Sequence, residues 1–328
     1  MASRDSRDSR EFGSDADRPD SRGAEASQRS ARRARRERPA GSSVPFVVRP
    51  FEGLAGETDW VALREIVPAA TAELTLASPA PTASPVDSSA DDDAARSRVA
   101  VATVLPMAWP GMRRPDGEVV IGLQSAGSSG DTSRDLAAVL LSALDAEPGA
   151  AVSAVPPVTA DSPRLQDLLD PAAPFPVTVH DGFDFWLGDA GALDGEDAAA
   201  MEQANATVIP TVRLTGVTSA YWCRIGARTH LRWVLPQNED AATDALARLH
   251  AAGASSLGTS SRLLGAFRAC GLLVPVWDLD PDLDADDYEG PVAELAARLQ
   301  DALASGSDLS GDERRARAGL LTRQITLR

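Results

Sequence analysis

The chain contains no lysine: all 32 of its basic residues are arginine. That absence excludes a G-x-x-x-x-G-K-[ST] phosphate loop and Schiff-base chemistry through a lysine amine. Cysteine is nearly as scarce, with Cys223 and Cys270 the full complement. Two thiols cannot build a disulfide framework and fit a reducing compartment. Two cysteines and three histidines also fail to give a zinc spacing without distant carboxylates. No apolar run reaches the ~18 residues that span a bilayer, and the N-terminus has no apolar core of a secretion signal. The expectation is a cytoplasmic chain without membrane contact, metal or cofactor.

What is present is acid. The net charge is −16 over 328 residues. It is unevenly placed, because residues 1–40 hold 11 arginines against 8 acidic residues. The rest of the chain is therefore more acidic than the total, which repels nucleic-acid phosphate and argues against a globular DNA-binding domain. Residues 1–43 are Ser, Arg, Asp and Gly with almost no large apolar side chain, so they are expected to be a disordered tail. Within it Arg29, Arg32, Arg33, Arg35, Arg36 and Arg38 form a basic cluster that would suit RNA or another acidic partner.

The ordered chain is expected from Val44. A helix capped by Thr58 or Asp59 stops before Pro68, and a strand follows over Thr71–Leu76. Residues 77–97 read as a flexible loop. Arg98–Ala108 and Glu118–Leu123 read as strands about the turn Arg114-Pro115-Asp116-Gly117. Then come a helix over Asp131–Leu144, a short helix over Pro163–Leu169, and strand-like segments at Phe175–His180 and Phe183–Leu187. The second half repeats that order. It has a helix over Glu196–Ala206, a strand at Thr211–Thr215, a hairpin turning at Gly226-Ala227 and a helix capped by Asn238. A shorter helix over Ser261–Cys270 and a strand at Leu272–Leu279 follow. Pro291 opens a helix to Ala304, and Ser310 with Glu313 forms a capping box for a last helix.

The fold class is therefore α+β, with two related α-β-β-β-α-α-β halves and mostly antiparallel sheets behind a disordered tail. The divisions are 1–43, 44–190, 191–304 and a C-terminal helix in 305–328. A ligand site is expected between the halves.

Candidate chemistry gathers on the hairpin Val217–Pro236. Cys223 and His230 face each other across it, and a thiol beside a base is the minimal nucleophilic pair. No third group orienting His230 is evident. Arg224, Arg228 and Arg232 form a second candidate, since guanidinium recognises carboxylate or phosphate. His180 and Asp181 end a strand, a place suited to catalytic groups and equally to an Asx turn. Asp278–Glu289 superficially matches a calcium loop. Its sixth position, which requires Gly, holds Leu283, and Pro281 stiffens the fourth.

The stretches RPFEGLAGETDWVALREIVPAATAELTL, YWCRIGARTHLRWVLP and RLLGAFRACGLLVPVWDLD resemble an actinobacterial family of unknown function over Val44–Leu303. The resemblance implies a globular, cytoplasmic protein behind a basic tail. It implies no catalytic residues. Members labelled topoisomerase II or preprotein translocase find no support here, for want of a nucleotide loop and given the acidic body. The reading is a non-catalytic binding or interaction module. An enzyme using Cys223, His230 or His180 between the halves is the alternative, and a chaperone-like homodimer a third class.

Overall fold

A computed structural model describes residues 44–77, 98–125, 127, 129–188 and 195–322. The tail expected over 1–43, its arginine cluster, and nearly all of the loop expected over 77–97 lie outside the described residues. The described chain is α+β, with two mostly antiparallel sheets.

The first helix, α1 (Glu57–Glu65), starts one residue before the expected caps. Gly56 takes the N-cap position at φ 69°, and a Cβ there would lie 2.9 Å from Phe175. Only glycine suits both conditions, which frees Thr58 and Asp59 to point elsewhere. After Pro68 the chain enters β1 (Ala70–Leu74), β2 (Val99–Ala102), β3 (Gly111–Arg113) and β4 (Val119–Gly122). The expected turn at Arg114–Gly117 is present, closed by Gly117 N–H to Arg114 O at 2.9 Å. It joins β3 to β4, whereas β2 runs parallel to β4, so the expected pairing of β2 with β4 as a hairpin is corrected. Asp131 caps α2 (Thr132–Leu144) through Ser133 N–H. Then follow β5 (Ala151–Val152), α3 (Leu165–Leu168) and β6 (Val177–Val179), giving a first sheet of order β5-β3-β4-β2-β1-β6.

Phe183–Leu187 is not a strand. Asp184–Trp186 forms a 3-10 turn, because Phe183 stacks on Trp186 with centroids 4.5 Å apart and Trp186 Nε1–H donates to Val104 O at 2.9 Å. The second half runs α4 (Gly195–Asn205), β7 (Thr211–Arg213), β8 (Ala220–Ile225), β9 (Arg228–Trp233), α5 (Glu239–Ala251), β10 (Arg262–Ala269), β11 (Leu272–Leu279), α6 (Glu289–Ala304) and α7 (Gly311–Thr322). The helix expected over Ser261–Cys270 is therefore strand β10. Cys270 and Gly271, at φ 46° and 76°, make a two-residue turn that lays it antiparallel on β11. The shared order of elements breaks here, and also in the first half, which has four strands before α2 and a fifth, β5, before α3. The second sheet is antiparallel throughout, in the order β10-β11-β9-β8-β7.

Both sheets bury apolar side chains with the two-residue period of strands. Val99, Val101, Val119 and Ile121 meet α1 and α2 (Leu136, Val139, Leu140). Ala100, Ala102 and Val120, on the opposite face, lie under Leu105, Trp109, Met112 and Phe185. In the second sheet Trp222, Leu231, Trp233, Leu273 and Trp277 pack on α5 and α6. Its inner face contributes Tyr221, Val234, Leu272 and Val274 to the core built around α1. The two halves thus share one core, and α1 is the layer between the sheets.

Candidate functional site

The hairpin β8–β9 forms where expected, turning at Gly226 with φ 59°. Register brings more together than the pair read from sequence. Thr211, Cys223, His230, Asp278 and Arg262 stand directly opposite one another across β7, β8, β9, β11 and β10. Residues so opposed have Cβ atoms about 4.5–5.5 Å apart. His230 is thus flanked by a thiol on one side and a carboxylate on the other, with Nδ1 3.7 Å from Asp278 Oδ1. That spacing is too long for a hydrogen bond, and Nδ1 is buried without a hydrogen-bonding partner.

Burial sets the ionisation. Cys223 is only 2% exposed. Burial pushes its thiol up, and the positive charge of Arg232 only partly opposes this. Burial pushes His230 down, Asp278 pulls it back, and Arg232 and Arg228 add to the fall. Near neutral pH the pair therefore rests as thiol and neutral imidazole, unlike a thiolate nucleophile held beside an imidazolium.

The three hairpin arginines do not share a face. Arg228, His230 and Arg232 follow at two-residue spacing on the inner side. Arg224 pairs with Thr229 and points to the other side, with its guanidinium 5.2 Å from the Trp222 ring and 3.4 Å from Asp284. Arg232 is buried and directs NH1 to Ile66 O at 3.5 Å. Arg228 is exposed, and its side chain makes no hydrogen bond or ion pair among the described residues. His180 lies on the first sheet. Its Nε2 is 2.8 Å from Thr71 Oγ1, and its ring lies 4.8 Å from Phe185. Burial lowers its pKa, with Asp181 and Asp184 opposing. Its side-chain partners belong to the first half, so it does not join the row around His230. Asp181 is exposed in the bend that follows.

The acidic segment after β11 is occupied with its own turn. Asp280 Oδ1 accepts from Asp282 N–H, and Asp284 with Asp287 forms a reciprocal capping box. Among the described residues no group of three His, Cys, Asp or Glu side chains is placed to hold a metal ion, and no helix is long and apolar enough to cross a membrane.

Residues 50–328 match the model of a family of unknown function, DUF5926. The chain belongs to this family. No curated protein and no solved structure matches it.

Sequence reading missed two groups in this DUF5926 chain. Asp278 was visible as a strand-end carboxylate, but only the pairing of β11 with β9 makes it the neighbour of His230. Asp59, expected as a cap, instead leaves α1 for the second sheet. It is 5% exposed and accepts from Ser219 Oγ at 2.6 Å, Tyr221 OH at 2.9 Å and Arg213 NH2 at 2.9 Å. Ser219, held at φ 56°, also lies 2.6 Å from Thr58 Oγ1. The carboxylate and the hydroxyls all have partners, as buried polar groups require, whereas Arg213 Nε is buried without one. The network fastens the two sheets through α1.

Proposed function

We propose that this DUF5926 chain is a non-catalytic binding or interaction protein of the cytoplasm. The observation that carries the reading is the state of Cys223. Its thiol is sealed at 2% exposure and raised in pKa, beside a histidine lowered in pKa. Arg232, one of the candidate ligand groups, is turned inward onto α1, as is Arg213. Both cysteines are free thiols, which supports a reducing compartment.

An enzyme is the second reading, favoured by one observation: Asp278 stands opposite His230, where an orienting carboxylate would belong. Thiol labelling separates the two. In a Cys270→Ser protein, Cys223 should react with an aromatic disulfide far more slowly folded than in denaturant. Its rate should still climb above the ordinary thiol range of about 8.5. A fast native rate that stays flat down to pH 6 would refute the binding reading and support a nucleophile.

The partner is proposed from charge. The arginines between Arg29 and Arg38, on an otherwise acidic chain, support docking to an acidic partner such as RNA. Deleting residues 1–40 should abolish salt-sensitive co-sedimentation with ribosomes, and unchanged co-sedimentation would remove this part of the proposal. A homodimer is a further proposal, decided by light scattering of the full chain.

A further inference from the structure

Three carboxylates are buried among the described residues: Asp59, Asp131 and Asp135. Buried charges are expected to be paired, because an isolated one forfeits its hydration. Asp59 has Arg213 at 2.9 Å with two hydroxyls beside it. Asp131 has Arg164 at 3.0 Å and Arg134 at 3.3 Å, as well as Ser133 N–H. Asp135 differs. It is 5% exposed, yet among the described residues its carboxylate has no cationic partner and accepts one hydrogen bond, from Ser129 N–H at 3.2 Å.

The surroundings of Asp135 explain how it stays in place. On one side the backbone of Gly127 presses against it so closely that a Cβ there would lie 2.6 Å from Oδ2. On the other side Asp135 lines a groove of about 500 Å³. The walls are Pro110 and Ala108 from the segment before β3, and the extended stretch Ser153–Val158 after β5. That stretch reads Ser-Ala-Val-Pro-Pro-Val, and Ser129 also lines the groove, so its wall mixes apolar side chains with serines and Asp135 is its one charged group. Its size falls within the range of about 300–1,000 Å³ typical of small-molecule sites.

We propose that this groove binds a small organic cation, with an ammonium or amidinium group on Asp135 and an apolar body along Pro110, Val155 and Val158. The ligand supplies the positive charge that Arg213 gives Asp59 and that Arg134 and Arg164 give Asp131. Prolines and valines on the walls favour a hydrocarbon-bearing amine over a hydrated metal ion, which needs oxygen ligands on several sides. This site stands apart from the row around His230, so the two can fail independently.

The test is calorimetric titration of the full chain with 2-phenylethylamine and benzamidine, against 2-phenylethanol as the uncharged analogue. The amine should bind at least about ten-fold more tightly than the alcohol, as a charge-assisted hydrogen bond predicts. Asp135→Asn should erase that preference. Should Asp135→Asn fail to fold, Ser153→Arg offers a second reading from the exposed wall. It tethers a guanidinium in the groove and should abolish amine binding in a chain that melts no lower than wild type. The proposal is overturned by equal affinity for amine and alcohol or by a preference that survives in Asp135→Asn. Retained amine binding in Ser153→Arg, or no saturable binding of either cation up to about 10 mM, overturns it as well.

Discussion

Replacing Asp59 with alanine should loosen the joint between the two sheets. The wild-type carboxylate takes three hydrogen bonds, from Ser219, Tyr221 and Arg213. Bonds to a charged group contribute about 1.5–3 kcal/mol each, but they do not add in a shared network. Arg213 is 32% exposed and regains water when its partner goes. Tyr221 and Ser219, at 1% and 0% exposure, cannot. Breaking one side of a buried pair costs about 3–5 kcal/mol, and the half-exposed arginine places Asp59→Ala near the lower end, at about 3 kcal/mol. Asp59→Asn keeps an acceptor for the two hydroxyls and should lose about half as much. For a unit of this size about 3 kcal/mol lowers Tm by roughly 5 °C. Urea unfolding followed by both tryptophan fluorescence and far-ultraviolet dichroism gives the free energy. A double-mutant cycle with Tyr221→Phe should return about 1–2 kcal/mol of coupling. A loss below about 1 kcal/mol for Asp59→Ala, with additive double mutants, would refute the pinning role.

Two further outcomes follow from other sites. His180 and His230 both have pKa values depressed by burial from an unfolded value near 6.5, so below about pH 6.5 the unfolded chain binds more protons. Stability should be full above that pH and fall as the pH drops toward the folded values. His230→Gln should flatten part of that slope in melts between pH 5 and 8, and stability that instead rises on acidification from pH 7 would contradict the assignment. Cys270 occupies a left-handed position that costs an ordinary residue about 1–2 kcal/mol, and asparagine tolerates it better. Cys270→Asn should therefore raise stability by about 0.5–1 kcal/mol in denaturant titrations, and a loss of stability would show that the thiol contact with Glu65 outweighs the strain.

Much of the fold is written locally. The caps at Asn238 and at Ser310 with Glu313 form as the residue types predict, while Asp131, read as the first helical residue, is itself the cap of α2. The β8–β9 hairpin is legible because alternation and a glycine turn agree. Strand β10 was not, for two reasons. Leu263, Leu264 and Phe267 fall at helical spacing, and Cys-Gly is a rare way to write a turn that is usually Asn-Gly. The pairing with β11 outweighs that local pattern, with a bulge at Leu264 absorbing the misfit. The separation of Arg224 from Arg228 and Arg232 was readable by counting residues across the turn, since Arg224 must then oppose Thr229. Asp278 beside His230, and Asp59 beneath Tyr221, were not readable, because both depend on contacts between elements far apart in the chain.

The shared core has a consequence for synthesis. Asp59 and Tyr221 are separated by 162 positions. At about 5–20 residues per second, a ribosome makes α1 some 8–32 s before the strand that covers it. During that interval the nascent first half waits with one side of α1 uncovered. What it presents toward the missing sheet includes a carboxylate and a hydroxyl, Asp59 and Thr58, which water can solvate until Ser219, Tyr221 and Arg213 arrive. A purely apolar joint would leave the same fragment open to sticking to its neighbours. The polar pin is then also a safeguard during translation, and a leucine at position 59 should show its harm first as aggregation of newly made chains.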